Sequence, residues 1–148
     1  MLVIIDRFSK VVVLVALRSQ AEETITRAIL NGWIYRYWKL KSYILDRDKT
    51  FEGTKLRQMC QNFDIQQEFS SLYQHQSNGL AQCTIRSVRD LLATTLESQK
   101  SSLDWKDLLP KVEFSLNTTL QNAVGISPCE ILFGQKLEHM GYLRRWHS

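Results

Sequence analysis

The chain has 148 residues, 44% of them hydrophobic and 23% charged, which fits one domain around a sizeable core and excludes a disordered tail, a coiled coil and a collagenous repeat. Nineteen Lys and Arg against fifteen Asp and Glu leave a formal charge of +4, and the pI near 9.1 permits a polyanionic partner without requiring one. Cys60, Cys83 and Cys129 form no C-x-x-C pair, so neither a disulfide framework nor a zinc knuckle is read from them and a reduced, intracellular chain is expected. The longest apolar stretch, residues 11–17, is too short to cross a bilayer and no leader with a cleavage site is visible, so a soluble protein is expected.

Two β-branched runs, Leu2-Val3-Ile4-Ile5 and Val11-Val12-Val13-Leu14-Val15, flank the polar stretch 6–10 and predict a hairpin. The second run is apolar at successive positions, as in a strand covered on both faces of a layered α/β domain. A helix is predicted over 21–38, with Ser19 as N-cap, Glu22 and Glu23 in the first turn, and Ile25, Ile29, Trp33 and Tyr37 at four-residue spacing. Next come a buried strand, Tyr43-Ile44-Leu45-Asp46, that presents Asp46 at its end, a helix over 53–63 and a short strand over 65–69.

Residues 70–79 are polar and aperiodic and read as a loop. A helix over 80–97 carries Ile85, Val88, Leu92, Thr95 and Leu96 on one stripe, with Gln82, Arg86 and Arg89 together on its flank. Trp105, Leu108, Leu109, Val112, Leu116 and Leu120 continue at helical spacing, interrupted by Pro110, which is expected to kink or divide the element. One domain over 1–134 and a fraying tail over 135–148 follow from this pattern, with no internal repeat.

Asp46 at a strand end and position 82 at a helix start, with residues 47–81 between them, would make a two-metal carboxylate pair if position 82 were Glu. At these residues the chain resembles the catalytic core of retroviral and long-terminal-repeat retrotransposon integrases, most of all the gypsy-type elements. Residues 4–10, I-I-D-R-F-S-K, are similar to that family's V-D-x-F-S-K hairpin, and residues 45–51, L-D-R-D-K-T-F, to its S-D-R-x-x-x-F strand end. Residues 73–82, Y-Q-H-Q-S-N-G-L-A-Q, are similar to Y-H-P-Q-S-N-G-L-A-E, and residues 125–134, G-I-S-P-C-E-I-L-F-G, to G-x-S-P-x-E-L-L-F-G.

The resemblance implies an α/β, RNase H-like fold with a mixed sheet flanked by helices. It also implies Mg²⁺ or Mn²⁺ held by an Asp, a second Asp and a Glu for joining element DNA to host DNA. Carried over by position, the second Asp is Asp46 and the Glu position is Gln82, while the first Asp belongs to a central strand upstream of the hairpin that this sequence lacks. Asp6 matches the hairpin Asp, which has no catalytic role in the family, and Asp48 sits where the pattern is permissive. Gln74 and His75 replace His and Pro, and Cys83 stands where an Arg or other polar residue is usual.

With Gln82 neutral and only Asp46 charged, two closely spaced cations lack their ligands. The expectation is therefore catalytic inactivity, remnant positions at Asp46 and Gln82, no cofactor, and at most weak metal contact at Asp46. Arg86 and Arg89 fall where the family places basic residues that contact the element's DNA end, and they read equally well as a solvated helix face. DNA and a second copy of the chain are the candidate partners, with no membrane and no small-molecule substrate, and the resemblance implies a nuclear address.

His75, His139 and His147 share no ligand spacing. Cys60 reads as a core residue, and Trp33, Tyr35, Tyr37 and Trp38 read as core or dimer packing more than as a base-stacking platform. Loss of the central strand leaves the hairpin and the Asp46 strand without their common neighbour. Edge collapse, a strand supplied by another chain, or marginal stability are the outcomes, and marginal stability is the one expected. Two further readings stand beside this one: a domesticated protein–protein interaction module with no DNA role, and a fragment of a longer active polyprotein.

Overall fold

Placement of the two β-branched runs decides the architecture. The structure, a computed structural model, describes residues 1–37, 42–45, 53–69, 75–98, 104–121 and 125–135. Strands β1 (Leu2–Ile5) and β2 (Val12–Val15) pair antiparallel, with Leu2 opposite Val15 and Ile5 opposite Val12. Asp6 organises the turn between them: its Oδ2 accepts from the Ser9 amide at 2.7 Å and the Ser9 hydroxyl at 2.5 Å, while its own N–H donates to the Val11 carbonyl at 2.9 Å. Lys10 closes the turn at φ 65°.

Alternation along β2 sends its side chains into two separate cores. Val11 and Val13 join Ile25, Ile29, Trp33, Leu56 and Met59 on one side, and Val12 and Leu14 join Val88, Leu109 and Val112 on the other. This two-sided burial is what the unbroken apolar run predicts.

The first core is roofed by α1 (Glu22–Ile29), a π-helical turn (Leu30–Ile34) and α2 (Tyr35–Tyr37). The π turn breaks the 3.6-residue period, so the consecutive residues Gly32, Trp33 and Ile34 are all buried. Gly32 permits the close approach, because a Cβ there would stand 3.1 Å from Val15 Cγ2. Ser19 is not the cap. The helix starts at Ala21 without a side-chain cap bond, and the Ser19 hydroxyl pairs with that of Thr24 at 2.9 Å.

Helix α3 (Thr54–Asn62) begins at Gly53, and its N-terminus is capped from another element: Glu22 Oε1 accepts from the Leu56 amide at 2.9 Å. Strands β3 (Ser42–Leu45) and β4 (Gln66–Phe69) pair parallel. The described strands form two separate two-stranded sheets, β1-β2 and β3-β4. Among the described residues the mixed sheet expected from the sequence is thus present as two halves that do not pair with each other.

Helices α4 (His75–Ser98), α5 (Trp105–Thr118) and α6 (Pro128–Phe133) complete the order. Helix α4 opens at His75, so residues 75–79 are helical and not loop, as their aperiodic polar composition suggested. Val88 is fully buried, but Leu96, placed on the same stripe, is 37% exposed near the helix end. Pro110 neither divides nor ends α5. It lies on the exposed face with Lys106, whose carbonyl it leaves without an N–H donor, and water can take that bond. Helix α6 starts with a capping box, Ser127 Oγ accepting from the Glu130 amide at 3.3 Å and Glu130 Oε2 from the Ser127 amide at 2.8 Å, and ends at Gly134 with φ 66°.

The outer edge of β2 is paired by side chains of α5. Asn117 Nδ2 donates to the Val12 carbonyl at 2.7 Å, Asn117 Oδ1 accepts from the Val12 amide at 2.8 Å, and Glu113 Oε2 accepts from the Leu14 amide at 2.8 Å. Asn117 is only 5% exposed, so its amide acts as a one-residue substitute for a neighbouring strand. Asn117→Ala should lower unfolding free energy by about 2–4 kcal/mol, since both Val12 groups stay buried without partners; the shift of the urea midpoint measures it.

Candidate nucleic-acid interface

Helix α4 is anchored by Val88 in the second core, and this anchoring fixes which of its faces meets water. Gln82, Arg86 and Arg89, spaced four and three residues apart, are all exposed on one face. Among the described residues no carboxylate forms an ion pair with Arg86 or Arg89. The ridge therefore offers two guanidinium groups and one primary amide, a donor-rich surface that suits phosphate oxygens.

Another flank of α4 lines an open groove against α5, with Cys83, Ser87, Asp90 and Thr94 facing Ser115 and Thr119. Its hydroxyls are spent on helix carbonyls: Ser87 donates to the Cys83 carbonyl at 3.1 Å and Thr94 to the Asp90 carbonyl at 2.8 Å. Lys10 and Asp90 both line this groove, so it presents charges of both signs and no anion-selective field. The cationic character of α4 belongs to the Gln82 side.

Asp46, Asp48 and Gln74 lie outside the described residues, as do Trp38, His139 and His147, so the juxtaposition of Asp46 with Gln82 is not part of the described geometry. Asp6 is committed to the hairpin turn through Ser9. Among the described residues no group of three or more His, Cys, Asp or Glu side chains could hold a metal ion. Gln82 carries a neutral amide, which offsets a dication's charge less than a carboxylate does.

Cys60 and Cys129 are poorly placed to act as nucleophiles. Cys60 is buried, with its thiol 2.9 Å from the Leu56 carbonyl, as a core residue should be. Burial, and then the negative charge of Glu113, raise the Cys129 thiol above its ordinary pKa, and the same two causes raise Tyr37, so the Cys129 thiolate is disfavoured. Trp33 is core, with Tyr37 tilted against it at 4.8 Å between ring centres and Phe133 6.5 Å beyond Tyr37. Of Trp33, Tyr35 and Tyr37, Tyr35 alone is largely exposed.

This arrangement of strands and helices is shared with known proteins. The bovine immunodeficiency virus (BIV) integrase catalytic core superposes with a TM-score of 0.76 at 22% identity, covering 95% of this chain and 88% of that one. The HTLV-2 integrase catalytic core, described in complex with magnesium in a trimeric form, gives 0.73 at 22% identity over 86% and 80% of the two chains. The fold is that of an integrase catalytic core.

Sequence similarity runs to retroelement polyproteins. The retrovirus-related Pol polyprotein of transposon 412 from Drosophila melanogaster is 21% identical over 140 residues, 95% of this chain. The transposon Tf2-3 polyprotein of Schizosaccharomyces pombe is 27% identical over 131 residues, 88% of this chain. The chain spans about a tenth of the length of these relatives. No family model matches it. Among the described residues no helix is long and apolar enough to cross a membrane.

Within this integrase-core-like fold, Asn117 and Glu113 were not legible as edge partners of β2; the available signal was a polar side chain beside the apolar positions of α5. Since Arg86 and Arg89 are exposed and pair with no described carboxylate, the double Arg86→Ala, Arg89→Ala variant should change unfolding free energy by less than about 0.5 kcal/mol, which chemical denaturation checks.

Proposed function

We propose that this chain is a retroelement-derived, gypsy-like integrase-core protein that has lost strand transfer and retains nucleic-acid binding and self-association. The observation that carries this reading is the composition of the α4 ridge: Gln82 stands at the position matching the family's Glu, beside the exposed cations Arg86 and Arg89. Catalysis of this type needs several carboxylates on clustered dications, whereas phosphate contact needs only accessible cations. Charge removal at position 82 therefore ends the first capacity and leaves the second. A nuclear site of action follows from the same reading.

One solved relative in fold is described as a simian T-cell lymphotropic virus intasome, with a TM-score of 0.81 at 15% identity over 91% of this chain and 48% of that one, which supports DNA as the partner class. The Mg²⁺ described for the HTLV-2 core supports the metal chemistry that an intact site would use. In an oligonucleotide nicking and joining assay with Mg²⁺ or Mn²⁺, no product should form; metal-dependent joining that disappears in Asp46→Asn would overturn the inactivity.

Binding to a DNA duplex, followed by fluorescence anisotropy, should weaken as salt rises. It should fall about tenfold or more in the Arg86→Glu, Arg89→Glu double variant. Unchanged affinity would remove the ridge from the interface.

A second reading, a protein-interaction module without DNA, is favoured by one specific feature. Tyr35 and Phe133 are 65% and 61% exposed, and the Tyr37–Phe133 contact ties their elements, α2 and α6, together. Exposed aromatics of this kind suit a protein surface. Absence of salt-sensitive DNA retention, together with association lost in Tyr35→Ala, would select this reading.

A further inference from the structure

We propose that Gln82 sets the metal dependence of the α4 ridge: its neutral side chain lets the ridge hold a nucleic-acid backbone without a divalent cation. The inference deepens the nucleic-acid-binding part of the reading above, by giving that surface its response to metal, and rests on it.

It begins with the distribution of charge along α4. Gln82, Arg86 and Arg89 share one exposed face over about two turns, roughly 10 Å of helix axis, a length comparable with two or three phosphates of one strand. Residues 82–89 contain no Asp or Glu. Ala93 and Glu97, both exposed, are the next positions on this face, so the cations end at Arg89 and an acidic residue bounds the ridge. Asp90 lines the groove toward α5, together with Cys83, Ser87 and Thr94.

A carboxylate at position 82 would oppose a polyanion in two ways. Standing four residues before Arg86, in the favourable orientation for a helical ion pair, it would occupy a guanidinium that a phosphate needs. It would also repel the phosphate itself. At a separation of about 4 Å that repulsion alone is worth about fivefold in affinity, even at the dielectric constant of water. A dication relieves such repulsion because it neutralises carboxylate and phosphate together.

Glutamine removes both obstacles at nearly the same side-chain size. Its amide forms no ion pair with Arg86, carries no charge to be neutralised, and presents two N–H donors from an exposed position to a phosphate oxygen. Metal then has nothing to add on this face. At fixed ionic strength Mg²⁺ acts on the complex only as a counterion that competes with Arg86 and Arg89 for phosphates.

The test is fluorescence anisotropy of a labelled DNA duplex with the full chain, at fixed ionic strength, in EDTA and in millimolar Mg²⁺. The parent should bind at least as tightly in EDTA as in Mg²⁺. In EDTA, Gln82→Glu should bind about fivefold or more weakly than the parent, and this deficit should shrink as monovalent salt rises. Gln82→Ala, which adds no charge, should lose less affinity than Gln82→Glu does. Because position 82 is exposed, both variants should keep the parent's circular dichroism and urea midpoint. A parent that binds only with Mg²⁺ present, a Gln82→Glu variant that matches the parent in EDTA, or a Gln82→Ala variant that falls as far as Gln82→Glu overturns the role of Gln82 and leaves nucleic-acid binding standing. A parent that binds DNA in neither condition overturns both.

Discussion

The side-chain pairing of α5 onto the β2 edge is the interaction on which the rest of the molecule depends. Val12 and Leu14 are buried strand residues whose outward backbone groups have no neighbouring strand among the described residues, and each unpaired buried group would cost about 1–3 kcal/mol. Asn117 partners the Val12 amide and carbonyl, and Glu113 the Leu14 amide, from about a hundred residues away in sequence, which fixes α5 against the hairpin. Helix α4 packs through Val88 and Leu92 on the same core as α5, so the orientation of the Gln82, Arg86 and Arg89 ridge descends from this contact.

Much of the fold was legible because burial is written in periodicity. The apolar run 11–15 has no polar break, and the structure places its alternate residues in two cores. Ile25, Ile29 and Trp33 are buried at the spacing read from the sequence. What was not legible depends on partners distant in sequence. The π turn buries Gly32, Trp33 and Ile34 in succession because the helix must approach Val15 closely, a tertiary demand without a local period. Helix α3 takes its cap from Glu22, so no capping residue is needed beside Gly53. Pro110 marked a break by local rules, and α5 runs through it because proline sits on the exposed side.

The candidate site shows the same division. Its residue types were readable: two arginines and a glutamine at helical spacing, and their shared exposed face is present in the structure. The burial of α4 was readable only in part, since Val88 is enclosed while Leu96 reaches water. The S-P-x-E run at 127–130 carries a capping box that local rules could have found, and it starts α6, which lies in contact with α5. Under the proposed function scaffold and chemistry separate: the fold is integrase-core-like, while position 82 carries a neutral glutamine.

The most direct measurement of that separation is the stoichiometry of Mn²⁺ bound to the purified chain, counted by electron paramagnetic resonance of the free ion. The account predicts no stoichiometric binding at submillimolar Mn²⁺, because a neutral amide at position 82 cannot offset a pair of dications. Two equivalents of Mn²⁺ bound per chain, both released by replacing Asp46, would contradict it.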